Sequence, residues 1–202
     1  MPIDGDGQQI WRLARAVLPG HYPVLVSDDI SDALDRMYFE HGRTRRGPSD
    51  VLARSATVDV DARVAEISAH RVQSDPGTGD EGYDLDSYDI AHFGRPRYLV
   101  IVPRPEPWAA FAYVNSVFSV GGYEPELLVA AARRWHERYG AEPTVVGIAT
   151  GFVVSRPPAE LVDAERLAAE HQFFAGLTAG TTVRTYARAL LQLDRWALYD
   201  RP

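Results

Sequence analysis

The chain has no cysteine among its 202 residues. A disulfide framework, a thiolate nucleophile, a cysteine-ligated zinc ion and an iron–sulfur cluster all require the cysteine side chain. We therefore exclude these four kinds of site from the sequence alone.

Lysine is also absent, so all 21 basic residues are arginine. The Walker A loop, the pyridoxal Schiff base and the protein kinase active site each use a lysine at a defined place. None of these sites can be built here in its usual form. A GC-rich genome, in which arginine codons replace lysine codons, also accounts for the absence, which therefore indicates no function by itself.

The chain has no excess of positive charge, because 28 acidic residues outnumber the 21 arginines and give a formal net charge of −7 at pH 7. Contacts to nucleic-acid phosphates need concentrated positive charge, so we expect no nucleic-acid partner. The basic cluster Arg43-Thr44-Arg45-Arg46 is followed by Gly47-Pro48. We interpret it as a solvated turn after a helix, with an anion-binding patch as the alternative.

Long hydrophobic runs are missing as well. No apolar stretch approaches the roughly 18 residues that would span a bilayer, and residues 1–7 lack the basic and apolar regions of a signal peptide. With 46% hydrophobic and 24% charged residues, the composition is that of a globular protein with one sizeable core. We expect a cytoplasmic protein with no membrane partner.

Hydrophobic periodicity predicts alternating helices and strands. Between residues 49 and 70 three interpretations stay open: a helix capped by Ser49, a strand at 57–60, and a helix at 62–68. This order predicts an α+β fold, in which a small, mostly antiparallel sheet is packed on one face against several helices. The predicted helices are residues 8–18, 31–39, 107–114, 124–139, 159–174 and 182–193, and the predicted strands are 23–26, 98–102, 144–148, 152–155 and 196–199, with 149–151 as the turn of a hairpin.

Residues 73–96, called the acidic segment below, have the composition of a loop or linker. Six acidic and no basic side chains lie between Gln73 and Gly94. The acidic segment is predicted to separate an N-terminal α/β portion, residues 1–72, from a C-terminal α+β domain, residues 97–202. The N-terminal portion could also be part of the same domain.

Two motifs in the acidic segment suggest ligands. Gly77-Thr78-Gly79-Asp80-Glu81-Gly82 matches the dinucleotide fingerprint, but no strand precedes it and its carboxylates would repel a pyrophosphate. Asp84, Asp86 and Asp89 could hold a hard cation, although the EF-hand pattern is incomplete. We predict no metal and no cofactor, and interpret the segment as a solvated loop or as a surface for a basic protein partner. That surface would consist of Asp80, Glu81, Asp84, Asp86 and Asp89.

The six histidines are dispersed, and neither an H-E-x-x-H zinc motif nor a G-x-S-x-G nucleophile motif occurs. His171 shares a predicted helical stripe with apolar residues, which indicates a hydrogen-bonded core histidine. Glu170 lies off that stripe and can pair with Arg166 one turn earlier. The alternative is an acid/base set for catalysis, made of His136, Glu137, Glu170 and His171.

An ordered set of short motifs runs through the second half of the chain. The motifs are Pro107-Trp108, Gly121-Gly122-Tyr123, Trp135 with Tyr139-Gly140-Ala141-Glu142-Pro143, Arg156-Pro157-Pro158, Ala169-Glu170-His171, and Trp196 with Asp200. This ordered set resembles a bacterial family of domains of unknown function, DUF4253, over roughly residues 97–200. The resemblance implies the family's fold and no assigned activity. This chain departs from the family at Phe173-Phe174-Ala175-Gly176, where relatives usually read Phe-Cys-Pro-Asp, and at residues 178–182.

Two functional hypotheses follow. The first is a non-catalytic, cytoplasmic protein-binding domain of the immunity or antitoxin kind, because the chain is acidic and lacks a recognisable catalytic motif. The second is a hydrolase or small-molecule-binding protein that uses the four His and Glu candidates. Trp108, Phe111 and Tyr113 could line its pocket, although packing in the core is the favoured interpretation of these residues.

Overall fold

A computed structural model of the chain describes residues 6–26, 46–70, 98–114, 124–147, 149–175 and 182–199. Five strands in these ranges form one sheet in the order β2-β1-β3-β4-β5. β1 and β3 are parallel, and the other neighbours are antiparallel. The predicted α+β class, with a small, mostly antiparallel sheet packed against helices, is confirmed. The strands are β1 (Tyr22–Val26), β2 (Tyr98–Val102), β3 (Glu142–Val146), β4 (Ala149–Val153) and β5 (Arg195–Tyr199).

Seven α-helices lie in the same ranges, and five of the six helices predicted outside residues 49–70 are confirmed. The sixth, at 31–39, falls outside the described residues. The strand considered at 57–60 is wrong, because the Asp59 side chain accepts a hydrogen bond from Ala62 N at 3.0 Å and so caps a helix that begins at Val60. The helices are α1 (Gly7–Val17), α2 (Pro48–Ser55), α3 (Val60–His70), α4 (Ala110–Tyr113) after a 3-10 turn at Pro107–Ala109, α5 (Pro125–Tyr139), α6 (Leu161–Ala175) and α7 (Val183–Leu190).

β1 comes from the N-terminal part of the chain and lies between β2 and β3. Leu25 is opposite Leu99 on one side and Val145 on the other. All five residues of β1 are buried, although successive side chains of a strand point to opposite faces. Both faces of the sheet are therefore covered at this strand.

The hairpin of β3 and β4 is confirmed, but its predicted turn at 149–151 is wrong. These residues belong to β4, where Thr150 pairs with Leu198 of β5. Small side chains predict a turn, yet residues 149–151 lie in a strand that pairs with a neighbour on each side, and Thr150 is buried. The register is also irregular between Pro143 and Val145, which a repeating apolar pattern does not reveal.

α5 carries most of the side chains discussed below. Gly140 ends it in the left-handed conformation, with φ of +61°, as its place after the helix predicts. A Cβ at this position would lie 1.9 Å from Ser155 Oγ, so a larger residue would clash with the loop after β4. Within the described ranges, no helix is both long and apolar enough to cross a membrane.

Candidate functional site

The four candidate acid/base residues lie on α5 and α6. Successive residues on a helix point about 100° apart, so Trp135 and its neighbour His136 face different surroundings. Trp135 is the residue that reaches α6: its Nε1 donates to Glu170 Oε2 at 2.8 Å, and its ring centroid lies 4.9 Å from that of His171.

His171 is completely buried, which confirms the prediction that it faces the core. Its Nδ1 lies 2.8 Å from Tyr186 Oη, and its ring packs against Trp196 with centroids 4.8 Å apart. Burial lowers the pKa of His171 to about 3, because the imidazolium would lose its hydration without gaining a counter-charge. The imidazole is therefore neutral at pH 7.

Glu170 is also buried, and its carboxylate is balanced by arginine. Arg134 Nη2 lies 2.9 Å from Glu170 Oε1, while Arg166 Nε lies 3.9 Å from the same oxygen. The predicted pairing with Arg166 is confirmed, but the closer partner is Arg134 from α5, which spacing along α6 could not indicate.

Asp61, on the surface of the protein, binds the same two arginines that pair with Glu170. Arg134 Nη1 donates to Asp61 Oδ1 at 2.9 Å, and Arg166 Nη2 donates to Asp61 Oδ2 at 3.0 Å. Partial burial acts to raise the pKa of Asp61, but the hydrogen bonds and charges of the two arginines outweigh it and hold the pKa below its usual range. Asp61, Arg134, Arg166 and Glu170, the charge network below, thus join α3, α5 and α6.

His136 has a different environment. Its Nδ1 lies 3.1 Å from Ala141 O, which can only accept, and its ring packs on Trp108 with centroids 5.1 Å apart. Glu137 is exposed. Among the described residues, neither hydrogen-bonds with Glu170 or His171, nor does His136 pack against the His171 ring. The structure therefore separates the four candidates into two pairs.

The three residues considered as a pocket lining are also divided. Phe111 is buried and packs against Phe152, with ring centroids 5.9 Å apart, so it belongs to the core. Trp108 and Tyr113 are half-buried, and Trp108 covers His136. Of these three residues, Trp108 is thus the one that is in ring contact with His136.

Seven buried side-chain atoms among the described residues have no hydrogen-bond partner, and three of them belong to fully buried residues of the core: His171 Nε2, Trp196 Nε1 and Thr150 Oγ1. His171 and Trp196 are in ring contact. Thr150 and Trp196 lie on the same face of the sheet, because Phe152 is opposite Trp196 and two residues from Thr150. The face of β4 and β5 beneath α6 therefore contains polar atoms as well as aromatic rings.

Motifs that lie far apart in the sequence meet in this region. Trp135 contacts Glu170 and His171, while Tyr139 packs on Trp196 with centroids 5.6 Å apart. Arg156 Nη2 donates to the carbonyl of Glu137 at 2.9 Å and so helps to end α5. These motifs therefore build the contact between α5, α6 and the sheet.

The proposed partner-binding carboxylates, Asp80, Glu81, Asp84, Asp86 and Asp89, lie outside the described residues. Inside the described ranges, no three His, Asp or Glu side chains are grouped so that they could hold a metal ion.

Comparison with known proteins finds one family. The model of a domain of unknown function, DUF4253, matches residues 98–200. No curated protein and no solved structure matches the chain. The matched residues include β2 to β5 and α4 to α7, whereas α1, β1, α2 and α3 precede them.

Proposed function

The chain belongs to the DUF4253 family of domains of unknown function, and from this premise we propose that it is a non-catalytic protein-binding domain. We further propose that it is bacterial and cytoplasmic, and that it acts in the manner of an immunity protein or antitoxin on a basic protein partner.

The environment of His171 is the observation that carries the non-catalytic part of the proposal. A general acid or base must reach a substrate proton directly or through one water. His171 is completely buried beneath aromatic rings, and the Glu170 carboxylate is engaged by Trp135 and Arg134. The burial and pairing of these side chains support a role in stabilising the contact between helices.

Charge supports the choice of partner. The net charge is −7, and five carboxylates lie within ten residues between Asp80 and Asp89. A concentrated negative charge accelerates association with a positively charged surface and makes the affinity depend on salt. We therefore expect a partner with a basic binding surface.

Affinity capture with two charge-matched baits tests the proposal. In the first, five of the six carboxylates of the acidic segment are replaced by their amides: Asp80, Glu81, Asp84, Asp86 and Asp89. The second neutralises the same number of carboxylates elsewhere, and thus controls for the change in net charge. The control positions are Glu66, Glu137, Glu160, Glu165 and Asp194.

The expected result is one basic protein that binds the wild type and the control bait, loses affinity as salt rises, and fails to bind the acidic-segment variant. Purified partner then gives the dissociation constants by calorimetry. Equal affinity for all three baits would contradict the proposal, because the acidic segment would then contribute nothing to recognition.

His136 supports the alternative, a small-molecule-binding protein or hydrolase. Its Nδ1–H donates to Ala141 O, which leaves Nε2 as the acceptor of the neutral ring, and Trp108 offers an aromatic surface beside it. In a ligand screen followed by NMR, a true ligand would shift the Trp108 indole N–H signal in the wild type and in the control variant Arg195→Gln, but not in His136→Ala.

A further inference from the structure

Asp61 is held as a bound carboxylate would be held. Each of its two oxygens accepts a hydrogen bond from a different arginine, Arg134 at 2.9 Å and Arg166 at 3.0 Å. Charge-assisted hydrogen bonds of this kind are the usual way in which arginine recognises carboxylates. The geometry therefore resembles an occupied ligand site in which the ligand is a side chain of the same protein.

The arginines and the carboxylate come from different parts of the chain. Arg134 and Arg166 lie on α5 and α6, inside the residues matched by the family model, whereas Asp61 lies on α3, before the match begins. Glu170 positions Arg134 from behind through the ion pair at 2.9 Å, and only 9% of the Glu170 side chain is exposed. The family-matched part thus contains a built cationic site with a buried support.

The two halves of the network differ in how firmly they are held. The Asp61 side chain is 60% exposed and Arg166 is 51% exposed, and ion pairs in such positions contribute about 0–1 kcal/mol. Arg134 is only 19% exposed and is paired with a buried carboxylate, so separating that pair would leave a charge without a partner. Asp61 is therefore the more exposed and more weakly held partner of Arg134.

We propose that Arg134 and Arg166 form a carboxylate-binding site that Asp61 fills as an internal ligand, and from which an external carboxylate displaces it. Without Asp61, the two arginines and Glu170 leave a net charge of +1 at the site, which attracts an anion. The ligand is a carboxylate group, carried by a small organic acid or by an acidic side chain. The site is distinct from the acidic segment and does not depend on the proposal for a basic partner.

Acetate binding to variants of the full chain tests this inference. Asp61→Ala empties the site, and Asp61→Asn is a second variant that removes the charge with less change in shape. Acetate is compared with chloride at equal ionic strength, and binding is followed through the NMR signals of the arginine Nε–H groups. We expect an acetate dissociation constant at least about tenfold lower in either Asp61 variant than in the wild type.

Two further variants make the test specific. Asp50 also pairs with two arginines, Arg46 and Arg54, but these are 43% and 54% exposed, whereas Arg134 is only 19% exposed. Asp50→Ala should therefore bind acetate no better than the wild type. Adding Arg166→Gln to Asp61→Ala should abolish the gain. Binding that is equal in the Asp61 and Asp50 variants, or that persists after Arg166→Gln, would overturn the proposal.

The source of the carboxylate is then distinguished with a short blocked peptide that contains one aspartate, compared with its asparagine counterpart. Preference of the Asp61→Ala variant for the aspartate peptide over acetate assigns the site to acidic side chains, and the reverse preference assigns it to small organic acids. Failure of both acetate and the aspartate peptide to bind either Asp61 variant would contradict the assignment of a carboxylate site.

Discussion

β1 and α3 both precede the family-matched residues, but they are attached to them in opposite ways. β1 is buried along its whole length and pairs with a strand on each side. α3 has one buried residue, Val60, among its described side chains, and is joined to its neighbours by surface ion pairs such as Arg63–Glu124 and Asp61–Arg134. The N-terminal part therefore supplies one fully buried strand of the sheet and one helix whose described side chains are mostly exposed or half-buried.

Deleting the N-terminal part should have the largest effect on stability, because it removes both β1 and α3. A chain reduced to residues 98–200 would lose β1, and β2 would then have no neighbour in the described sheet. We expect it to lack cooperative thermal unfolding in circular dichroism and to give a poorly dispersed NMR spectrum, because exposed strand edges and an incomplete core do not support a stable sheet. Residues 1–96 supplied as a second chain are the control. A cooperative transition of residues 98–200 alone would show that β1 is dispensable.

Matched truncations of aliphatic side chains measure how firmly β1 and α3 are each packed. Leu25→Ala on β1 removes a fully buried side chain, and should lower the free energy of unfolding by about 2–5 kcal/mol. Ile67→Ala on α3 removes a half-buried one and should cost about 1 kcal/mol. Urea denaturation measures both. Equal losses would mean that α3 is as firmly packed as β1.

His171 on α6 is a buried polar group that the fold keeps uncharged, unlike the exposed charged groups of α3, so its effect on stability should depend on pH. Its pKa is about 3 in the folded chain, below the value of about 6.5 expected when unfolded. Between pH 3 and pH 6.5 the unfolded chain therefore binds one more proton at this histidine than the folded chain does. The contribution of His171 to the free energy of unfolding is complete above pH 6.5, and it is lost at about 1.4 kcal/mol per pH unit as the pH falls towards 3.

As the pH is lowered from 6.5 to 3, the free energy of unfolding should thus fall more steeply for the wild type than for His171→Gln. Phe174→Leu is the control, because it disturbs the same core without removing a titrating group and should keep the wild-type slope. A constant difference between the wild type and His171→Gln at all pH values would contradict a buried neutral histidine.

Substitution of Asp61 in the charge network should have the smallest effect on the free energy of unfolding. Asp61→Asn removes an exposed partner and should cost less than about 1 kcal/mol in low salt, and less still in high salt. Glu170→Gln is the matched comparison, because it leaves Arg134 without its buried partner and should cost several times more. Thermal unfolding at two salt concentrations measures both variants, and equal costs would show that Asp61 is not the weaker half of the network.

Much of the fold could be predicted because its signals are local. The apolar stripe on α6 correctly placed His171 in the core, and the glycine after α5 correctly indicated its end at Gly140. The turn of the β3–β4 hairpin was misplaced because Ala149, Thr150 and Gly151 have the small side chains of a turn, although they lie within β4.

The candidate site was harder to predict because its contacts are not local. Asp61 and Arg134 are 73 residues apart, and no spacing rule connects them. The sequence also placed His136 and His171 in one hypothetical set, whereas α5 presents Trp135 to α6 and His136 to Trp108. Which side of α5 faces α6 depends on helix packing, and the motif letters do not contain that information.

Native-state hydrogen exchange of the β1 and α3 amides, measured in the same sample at about 0.05 M and about 1 M sodium chloride, shows whether the strand and the helix are held with different firmness. We expect the β1 amides to exchange only through global unfolding, with little effect of salt beyond that on the whole protein. We expect the α3 amides to exchange through a local opening of lower free energy, which becomes easier as salt screens the ion pairs. Exchange of both elements at the same free energy, with the same response to salt, would mean that α3 is held as firmly as β1.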